Sequence, residues 1–257
     1  PGSYVLLSYE AKTLDDKITE STKRKIKRDD REEEIDKPIV VKIGNKEIFF
    51  DEELLGLKEG EEKDIEIPPE KAYGKRDPTK IERIPVKKLR SMLGRKPEVG
   101  AILYTENGDY YGKIIYVGGR DALVDRNHPY ADQTIKVHVK IHEVINPSDP
   151  LEKRIKIIMK RYYDEYADKM SFSIIEDFIE ILLPSDVIIG MNNWELIRTI
   201  YANRKQFAEE LLRELNVNKV KFIDEFGLKT ESNISAPSIT PSQKIEDVKG
   251  EEKKEVT

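Results

Sequence analysis

The hydrophobic pattern of this chain changes period at Asn146-Pro147-Ser148-Asp149-Pro150. Before this segment, apolar and polar side chains alternate in short runs, a period typical of β-strands with one buried face. After it, apolar side chains recur at the spacing of amphipathic α-helices. The two prolines interrupt both patterns, because proline lacks a backbone N–H and has a fixed φ. We therefore expect a domain boundary here, with antiparallel β-structure before it and an α/β domain after it.

Seven alternating segments predict strands before the boundary: Tyr4 to Ala11, Ile39 to Ile43, Ile65 to Ile67, Ile102 to Thr105, Tyr110 to Val117, Ala122 to Val124 and Thr134 to Ile145. Two short helices are expected between them. Asp51 to Leu57 carries acidic residues at its start, and Leu54 and Leu57 would pack it across a sheet. The second helix covers Val86 to Leu93, and Gly118-Gly119 predicts a hairpin turn.

Two amphipathic helices and two strands are predicted after Pro150. The helices carry Leu151, Ile155, Ile158, Tyr162 and Tyr166, and then Ile197, Ile200, Tyr201, Phe207, Leu211 and Leu215. Asp177 to Leu183 and Lys219 to Phe226 predict strands, which gives an α-β-α-β order and a small sheet with an exposed edge. Such an edge invites pairing with a second copy. Residues 231–257 are poor in apolar side chains, so we expect a disordered tail.

The composition argues against several classes of function. The 257 residues contain no cysteine and three histidines, which excludes thiol catalysis and disfavours a dedicated zinc site, so we expect no cofactor. Acidic and basic residues are mixed at a net charge of −5, so no nucleic-acid partner is expected. The sequence has no long apolar run and no signal-peptide pattern, which predicts a cytoplasmic protein without a membrane partner. The abundance of Lys, Glu and Ile indicates a thermophile.

A set of motifs occurs in a characteristic order. Ile67-Pro68-Pro69-Glu70-Lys71-Ala72-Tyr73-Gly74 is followed by Arg83-Ile84-Pro85 and then by Asn127-His128-Pro129-Tyr130-Ala131. Their order and spacing, together with Ser8-Tyr9, Leu14-Asp15-Asp16-Lys17 and Lys58-Glu59-Gly60-Glu61, resemble FKBP-type peptidyl-prolyl isomerases over about residues 4 to 147. The resemblance implies an α+β fold in which an antiparallel sheet wraps around a short helix.

The resemblance also implies a pocket for the proline of an Xaa-Pro bond. Its expected residues are Tyr9, Glu20, Ile39, Ile48, Phe49, Phe50, Tyr73 and Val137. Two positions depart from the family: Thr19 stands where relatives usually have an apolar or aromatic wall residue, and Glu20 where they usually have aspartate. We therefore expect more water in the pocket and weaker catalysis than in those relatives. The Glu20 carboxylate should still accept a hydrogen bond from the Tyr9 hydroxyl.

The segment between Tyr73-Gly74 and the last strand is much longer than in a short FKBP. It resembles the insert-in-flap domain of SlyD and of long archaeal FKBPs, a β-rich module with an apolar groove for unfolded chains. We expect the isomerase domain at residues 1–76 and 133–147, the insert at 77–132 and the C-terminal α/β domain at 148–230. The expected partners are unfolded or nascent polypeptides with Xaa-Pro bonds, and a second copy bound through the C-terminal domain.

Three features allow a chemical and a plainer interpretation. His128 suggests a metal or catalytic residue, but with Pro129 behind it we favour a capped turn. His138 and His142 share one face of a strand and suggest a weak metal site, but we favour ordinary surface histidines. The charged run from Lys23 to Glu34 suggests a partner surface, but we favour a solvated bulge loop.

Three functional hypotheses remain, and the third is structural: the C-terminal domain is the main functional unit and assembles dimers that present two chaperone arms. The first is a peptidyl-prolyl cis-trans isomerase that also assists folding, in which the insert recruits unfolded chains and the pocket turns prolines. Holding a substrate nearby raises its effective concentration at the pocket. The alternative is a holdase chaperone with little isomerase activity, dimeric through the C-terminal domain. Suppression of aggregation that does not depend on proline would favour the alternative.

Overall fold

The computed structural model describes residues 2–28, 31–184 and 194–225. The tail expected at 231–257, and Phe226 of the last predicted strand, lie outside this part of the chain. Within it, no helix is long and apolar enough to cross a membrane.

Strands dominate the described residues up to position 145, and helices become prominent after it. The strands are β1 (Tyr4–Thr13), β2 (Ile18–Ser21), β3 (Lys23–Arg28), β4 (Arg31–Asp36), β5 (Ile39–Lys42), β6 (Glu62–Ile67), β7 (Ile81–Pro85), β8 (Ile102–Tyr104), β9 (Tyr110–Val117), β10 (Asp121–Asp125), β11 (Ile135–Ile145), β12 (Ser171–Ile175), β13 (Phe178–Pro184) and β14 (Lys219–Glu225). The α-helices are α1 (Val86–Leu93), α2 (Leu151–Tyr163) and α3 (Trp194–Leu215), and 3-10 helices span Asp51–Leu54, Pro78–Lys80 and Asp164–Lys169.

The first sheet has the order β2-β1-β11-β6, and β5 also pairs with β1. All of these pairings are antiparallel. The alternation along β11 decides which face is buried: Ile135, Val137, Val139 and Ile141 are at most 1% exposed, whereas the residues between them point outward. Phe50 and Leu54 pack on the buried face. The helix predicted over Asp51 to Leu57 does lie there, but it is a single 3-10 turn that ends at Leu54.

The charged run from Lys23 to Glu34 is not a bulge loop, and this prediction was wrong. It forms most of the antiparallel hairpin β3–β4, which makes its own two-stranded sheet. Lys23 faces Asp36 and Lys25 faces Glu34, so opposite charges lie directly across the ladder, an arrangement that stabilises strand pairs. Periodicity missed the hairpin because the exposed strands have no apolar face to alternate with a polar one.

A second sheet, with the order β7-β10-β9-β8, lies within the segment that interrupts the first one. The helix α1 packs on one of its faces through Leu89, which is fully buried with Ile84, Leu103, Ile114, Ala122 and Val124. The predicted hairpin at Gly118-Gly119 is confirmed, since Gly118 N–H donates to the Asp121 carbonyl between β9 and β10. The insert therefore has a hydrophobic core of its own.

The third sheet has the order β12-β13-β14. The helices α2 and α3 and the strands β13 and β14 match the predicted α-β-α-β order, but β12 was not predicted and adds an antiparallel strand beside β13. The pair β13 and β14 is parallel. This region shares one hydrophobic core with Tyr4, Leu6 and Ile145 of the first sheet. The helical layer thus packs directly on the face of the first sheet that lies opposite Phe50.

Candidate active site

The site is centred on two tyrosines that meet at one carboxylate. Tyr9 lies on β1, Tyr73 lies in the turn after β6, and Glu20 lies on the edge strand β2. The Tyr9 hydroxyl donates to Glu20 Oε2 at 3.0 Å, and the Tyr73 hydroxyl donates to Glu20 Oε1 at 2.8 Å. The expected contact between Glu20 and Tyr9 is therefore present. The second contact, between Glu20 and Tyr73, was not predicted.

Aromatic rings form a continuous floor beneath these hydroxyls. Phe50 is 1% exposed, and its ring centroid lies 5.0 Å from that of Tyr9 and 5.2 Å from that of Phe49. The ring of Phe49 lies 5.5 Å from that of Tyr73. Edge-to-face and tilted contacts at these distances are the favourable arrangements for aromatic pairs. The structure therefore links four of the expected pocket residues in one chain of ring contacts.

The aliphatic residues of the expected pocket belong to the same hydrophobic cluster. Val137 is buried in β11, between Ala11 of β1 and Ile65 of β6. Ile39 and Ile48 are partly buried and pack against the cluster from β5 and from the loop that follows it. Seven of the eight expected residues thus belong to this cluster or pack against it, and Glu20 is joined to it through the hydroxyl groups of Tyr9 and Tyr73.

The turn that carries Tyr73 is fixed by its own backbone. The N–H groups of Ala72 and Gly74 donate to the carbonyl groups of Pro68 and Pro69, and Gly74 adopts a positive φ of 80° that glycine tolerates best. The Gly74 carbonyl accepts the N–H of Asp132 from the returning end of the insert. This hydrogen bond brings the next loop of the chain against Tyr73.

Two residues of that loop contact the site but were not assigned to it from the sequence. The His128 ring stacks on Tyr73 at 4.3 Å and 9°, and the Tyr130 ring lies 5.6 Å from Tyr73. A turn is present as predicted, with Ala131 N–H donating to the His128 carbonyl, but the side chain does more than cap it. The sequence did contain a sign of this contact, because ring-bearing residues lie on both sides of Pro129. That their rings pack against Tyr73 is visible only in the folded chain.

The hydroxyl groups of Tyr9 and Tyr73 stay protonated at neutral pH. Burial raises the pKa of Tyr9, and the negative charge of Glu20 raises it further. Burial and Glu20 also raise the pKa of Tyr73 to about 12, although the Thr19 hydroxyl acts in the opposite direction. Burial lowers the pKa of His128, against the opposing charge of Glu20. At neutral pH the site therefore offers hydroxyl donors and a neutral imidazole.

The other two histidines lie on the outer face of the first sheet and have separate partners. The Nδ1 atom of His138 lies 2.8 Å from an Asp64 carboxylate oxygen, and the Nε2 atom of His142 lies 2.7 Å from the Ser8 hydroxyl. Across the described ranges, no group of three or more His, Cys, Asp or Glu side chains is placed to hold a metal ion. These contacts fit ordinary surface histidines.

This geometry suits a reaction that makes and breaks no covalent bond. An apolar aromatic floor would hold a proline ring, and a phenol at its rim would donate a hydrogen bond to a neighbouring carbonyl oxygen. Rotation about an Xaa-Pro bond faces an uncatalysed barrier of ~20 kcal/mol because the planar amide is stabilised by resonance. A twisted amide has less charge separation, so a water-poor surface favours it over the planar form.

Comparisons with known proteins agree on one family. Residues 1–89 match the family model described as FKBP-type peptidyl-prolyl cis-trans isomerase. The short-type peptidyl-prolyl cis-trans isomerase of Methanocaldococcus jannaschii is 35% identical over 150 residues, which are 56% of this chain and 92% of that protein. The FKBP-type 16 kDa peptidyl-prolyl cis-trans isomerase of Escherichia coli is 29% identical over 148 residues, which are 56% of this chain and 91% of that protein.

Proposed function

Since this chain belongs to the FKBP-type peptidyl-prolyl cis-trans isomerase family and is an enzyme of that type, we propose that it couples isomerisation of Xaa-Pro bonds to the capture of unfolded polypeptides. The proposed catalytic site is the cluster of Tyr9, Glu20, Ile39, Ile48, Phe49, Phe50, Tyr73 and Val137. The proposed capture surface lies on the inserted sheet.

The proposed catalytic step needs only modest help from each residue. The proline ring packs on the partly exposed rings of Tyr9 and Phe49, which the buried Phe50 supports from below. The Tyr73 hydroxyl donates to a substrate carbonyl and so orients the peptide. Each tenfold gain in rate requires about 1.4 kcal/mol of selective stabilisation of the twisted amide. A few contacts that exclude water from the Xaa-Pro bond therefore suffice, and no cofactor is required.

The observation that supports the capture surface is the uneven covering of the inserted sheet. One face packs on α1, whereas the other leaves Ile102, Tyr104 and Tyr116 exposed at 46%, 57% and 57%. Ile102 and Tyr104 flank the buried Leu103 on β8, and Tyr116 lies opposite Leu123, which is flanked by the buried Ala122 and Val124. Because side chains alternate along a strand, all three project from the face that α1 does not cover. Exposed aromatic and aliphatic side chains on an uncovered sheet face support a role in binding other chains.

The domain limits proposed for this arrangement are 1–76 with 133–147, 77–132 and 148–230. The insert joins the isomerase domain through a compact neck. At this neck the buried carboxylate of Asp125 accepts hydrogen bonds from Arg76 and Asn127, and Asn127 also bonds to the backbone of Asp77. A substrate held by the insert would remain near the pocket, which raises its effective concentration there.

We propose a cytoplasmic setting for this activity, in keeping with the absence of cysteine.

Exchange NMR on a short Xaa-Pro peptide tests the catalytic site. The unmodified protein should accelerate cis-trans exchange, and the Phe50→Ala, Tyr73→Ala double variant should lose most of that acceleration while it keeps a folded spectrum. Full activity in the folded double variant would show that the reaction occurs elsewhere. A slow rate in the unmodified protein would favour the holdase alternative, which the altered wall residues Thr19 and Glu20 also favour.

Aggregation assays test the capture surface separately. A Tyr104→Ser, Tyr116→Ser variant should lose suppression of aggregation of a proline-free unfolded chain, yet isomerise short peptides at the original rate. Lys113→Ser is the matched control, because Lys113 is exposed on the same face but offers no apolar ring. Equal suppression by both variants would refute the proposed surface.

A second copy of the chain is the remaining proposed partner. The strand β12 pairs only with β13 within the described sheet, and it exposes Ile174 and Ile175 at 39% and 38%. An unpaired edge of this kind is a template for a further strand. Measurement of molecular mass against concentration, with Ile174→Lys as the variant, tests whether this edge forms a dimer.

A further inference from the structure

The two oxygen atoms of the Glu20 carboxylate hold two different hydroxyl groups. Tyr9 donates to Oε2 and Tyr73 donates to Oε1, at 3.0 and 2.8 Å. The hydroxyl of Tyr73 is the donor that the proposed mechanism assigns to a substrate carbonyl. In the free protein this donor is therefore already engaged by a charged acceptor.

The length of the Glu20 side chain allows this bridge. Glu20 lies opposite Ala11 on the edge strand β2, and its carboxylate reaches across to the turn that carries Tyr73. Aspartate would set the carboxylate back by about one C–C bond, or roughly 1.5 Å, which exceeds the tolerance of a hydrogen bond. Thr19 on the same strand donates its hydroxyl to the Ala11 carbonyl instead, at 3.2 Å. Of the two unusual positions of the pocket, Glu20 is thus the one whose side chain bonds to this donor.

A substrate carbonyl has to replace Glu20 as the partner of Tyr73. A hydrogen bond to an ionised acceptor is roughly twice as strong as one between neutral groups, so the exchange opposes substrate binding. Phe49 and Phe50 take no part in this exchange of hydrogen bonds, because their side chains carry no hydroxyl group. The effect therefore falls on substrate affinity more than on the rate of the bound substrate.

We propose that Glu20 is a positioning residue that restrains the Tyr73 hydroxyl in the free enzyme, competes with the substrate carbonyl for it, and thereby sets KM. This role is additional to orienting Tyr9, and it rests on the catalytic site proposed above. Its consequence is that the glutamate makes the enzyme release Xaa-Pro segments more readily than an aspartate would.

The test measures kcat and KM for one Xaa-Pro peptide in four proteins: the unmodified chain, Glu20→Asp, Tyr73→Phe and the double variant. Glu20→Asp should lower KM about three- to tenfold, because the substrate no longer has to exchange a charge-assisted hydrogen bond for a neutral one. The same variant should keep kcat within about twofold of the unmodified chain. In the Tyr73→Phe background the same substitution should not change KM, because the contested hydroxyl is gone.

Glu20→Gln provides a second measurement, since it keeps the length of the side chain but removes the charge. Its KM should lie between those of the unmodified chain and Glu20→Asp. An unchanged or higher KM in both folded Glu20 variants would overturn the proposal. So would an equal change of KM with and without the Tyr73 hydroxyl, which would assign the effect to Tyr9. If Tyr73→Phe and Phe50→Ala both retained full activity, the proposed catalytic site itself would be wrong.

Discussion

The substitution Glu210→Leu tests whether the helices α2 and α3 stabilise the first sheet. Glu210 lies on α3 and is 4% exposed. Its carboxylate accepts hydroxyl hydrogen bonds from Tyr4 of β1 and Tyr162 of α2, both at 2.5 Å, and lies 3.4 Å from the Nε atom of Arg161. One buried carboxylate thus joins the first sheet to both helices.

The expected loss follows from the partners that the substitution leaves behind. Tyr4 is 3% exposed, so its abandoned hydroxyl costs about 1–3 kcal/mol, whereas the half-buried Tyr162 regains a bond to water and costs about 1 kcal/mol or less. Arg161 keeps its two contacts with Glu47 and is not left unpaired. The total is about 1–4 kcal/mol, or a fall in Tm of about 2–16 °C for a chain of this size.

Thermal and urea unfolding, followed by the signals of both β1 and α3, measure this loss. Glu209→Leu is the control, because this neighbouring side chain is 59% exposed and its ion pair within the described residues is a long surface contact with Lys205, at 3.8 Å. The control should change stability by about 0.5 kcal/mol or less. A loss below about 0.5 kcal/mol in Glu210→Leu, or unfolding of α3 without any effect on β1, would refute the proposed coupling.

Two further predictions concern the loop beside the site and the insert. The lowered pKa of His128 favours the neutral ring in the folded protein, so its stabilising effect should be complete above the unfolded value of 6.5 and lost as pH falls through the lowered value. Unfolding measured from pH 7.5 to about 5 should show this loss, and His128→Phe, which keeps the stacking on Tyr73, should abolish it. Gly112→Ala should destabilise the insert by about 1–3 kcal/mol, because its Cβ would lie 2.7 Å from the Asp125 carbonyl oxygen. Gly119→Ala, with nothing within 4 Å of its Cβ, should leave the unfolding of the insert unchanged.

Most of the secondary structure was readable because burial imposes a period on the sequence. The strand β11 alternates strictly, and α2 repeats its apolar residues at helical spacing, so their places followed from the chain alone. The hairpin β3–β4 and the edge strand β12 did not, because strands that face solvent carry no such period. The family's motifs, from Ser8-Tyr9 to Ala72-Tyr73-Gly74, indicated which residues to examine for the pocket.

The sequence by itself determined which segments form strands and helices around each hydrophobic core, since hydrophobic period and local turn chemistry act between near neighbours. The expected residues of the pocket came from the resemblance to the family. Only the tertiary structure decided that Glu20 joins two tyrosines, that His128 stacks on Tyr73, and that Glu210 ties the helices to the first sheet. These contacts link residues far apart in the chain, and side chains of a few ångströms meet only when the packing of whole elements brings them together. No local pattern records such a meeting, which is why these contacts emerged only from the fold.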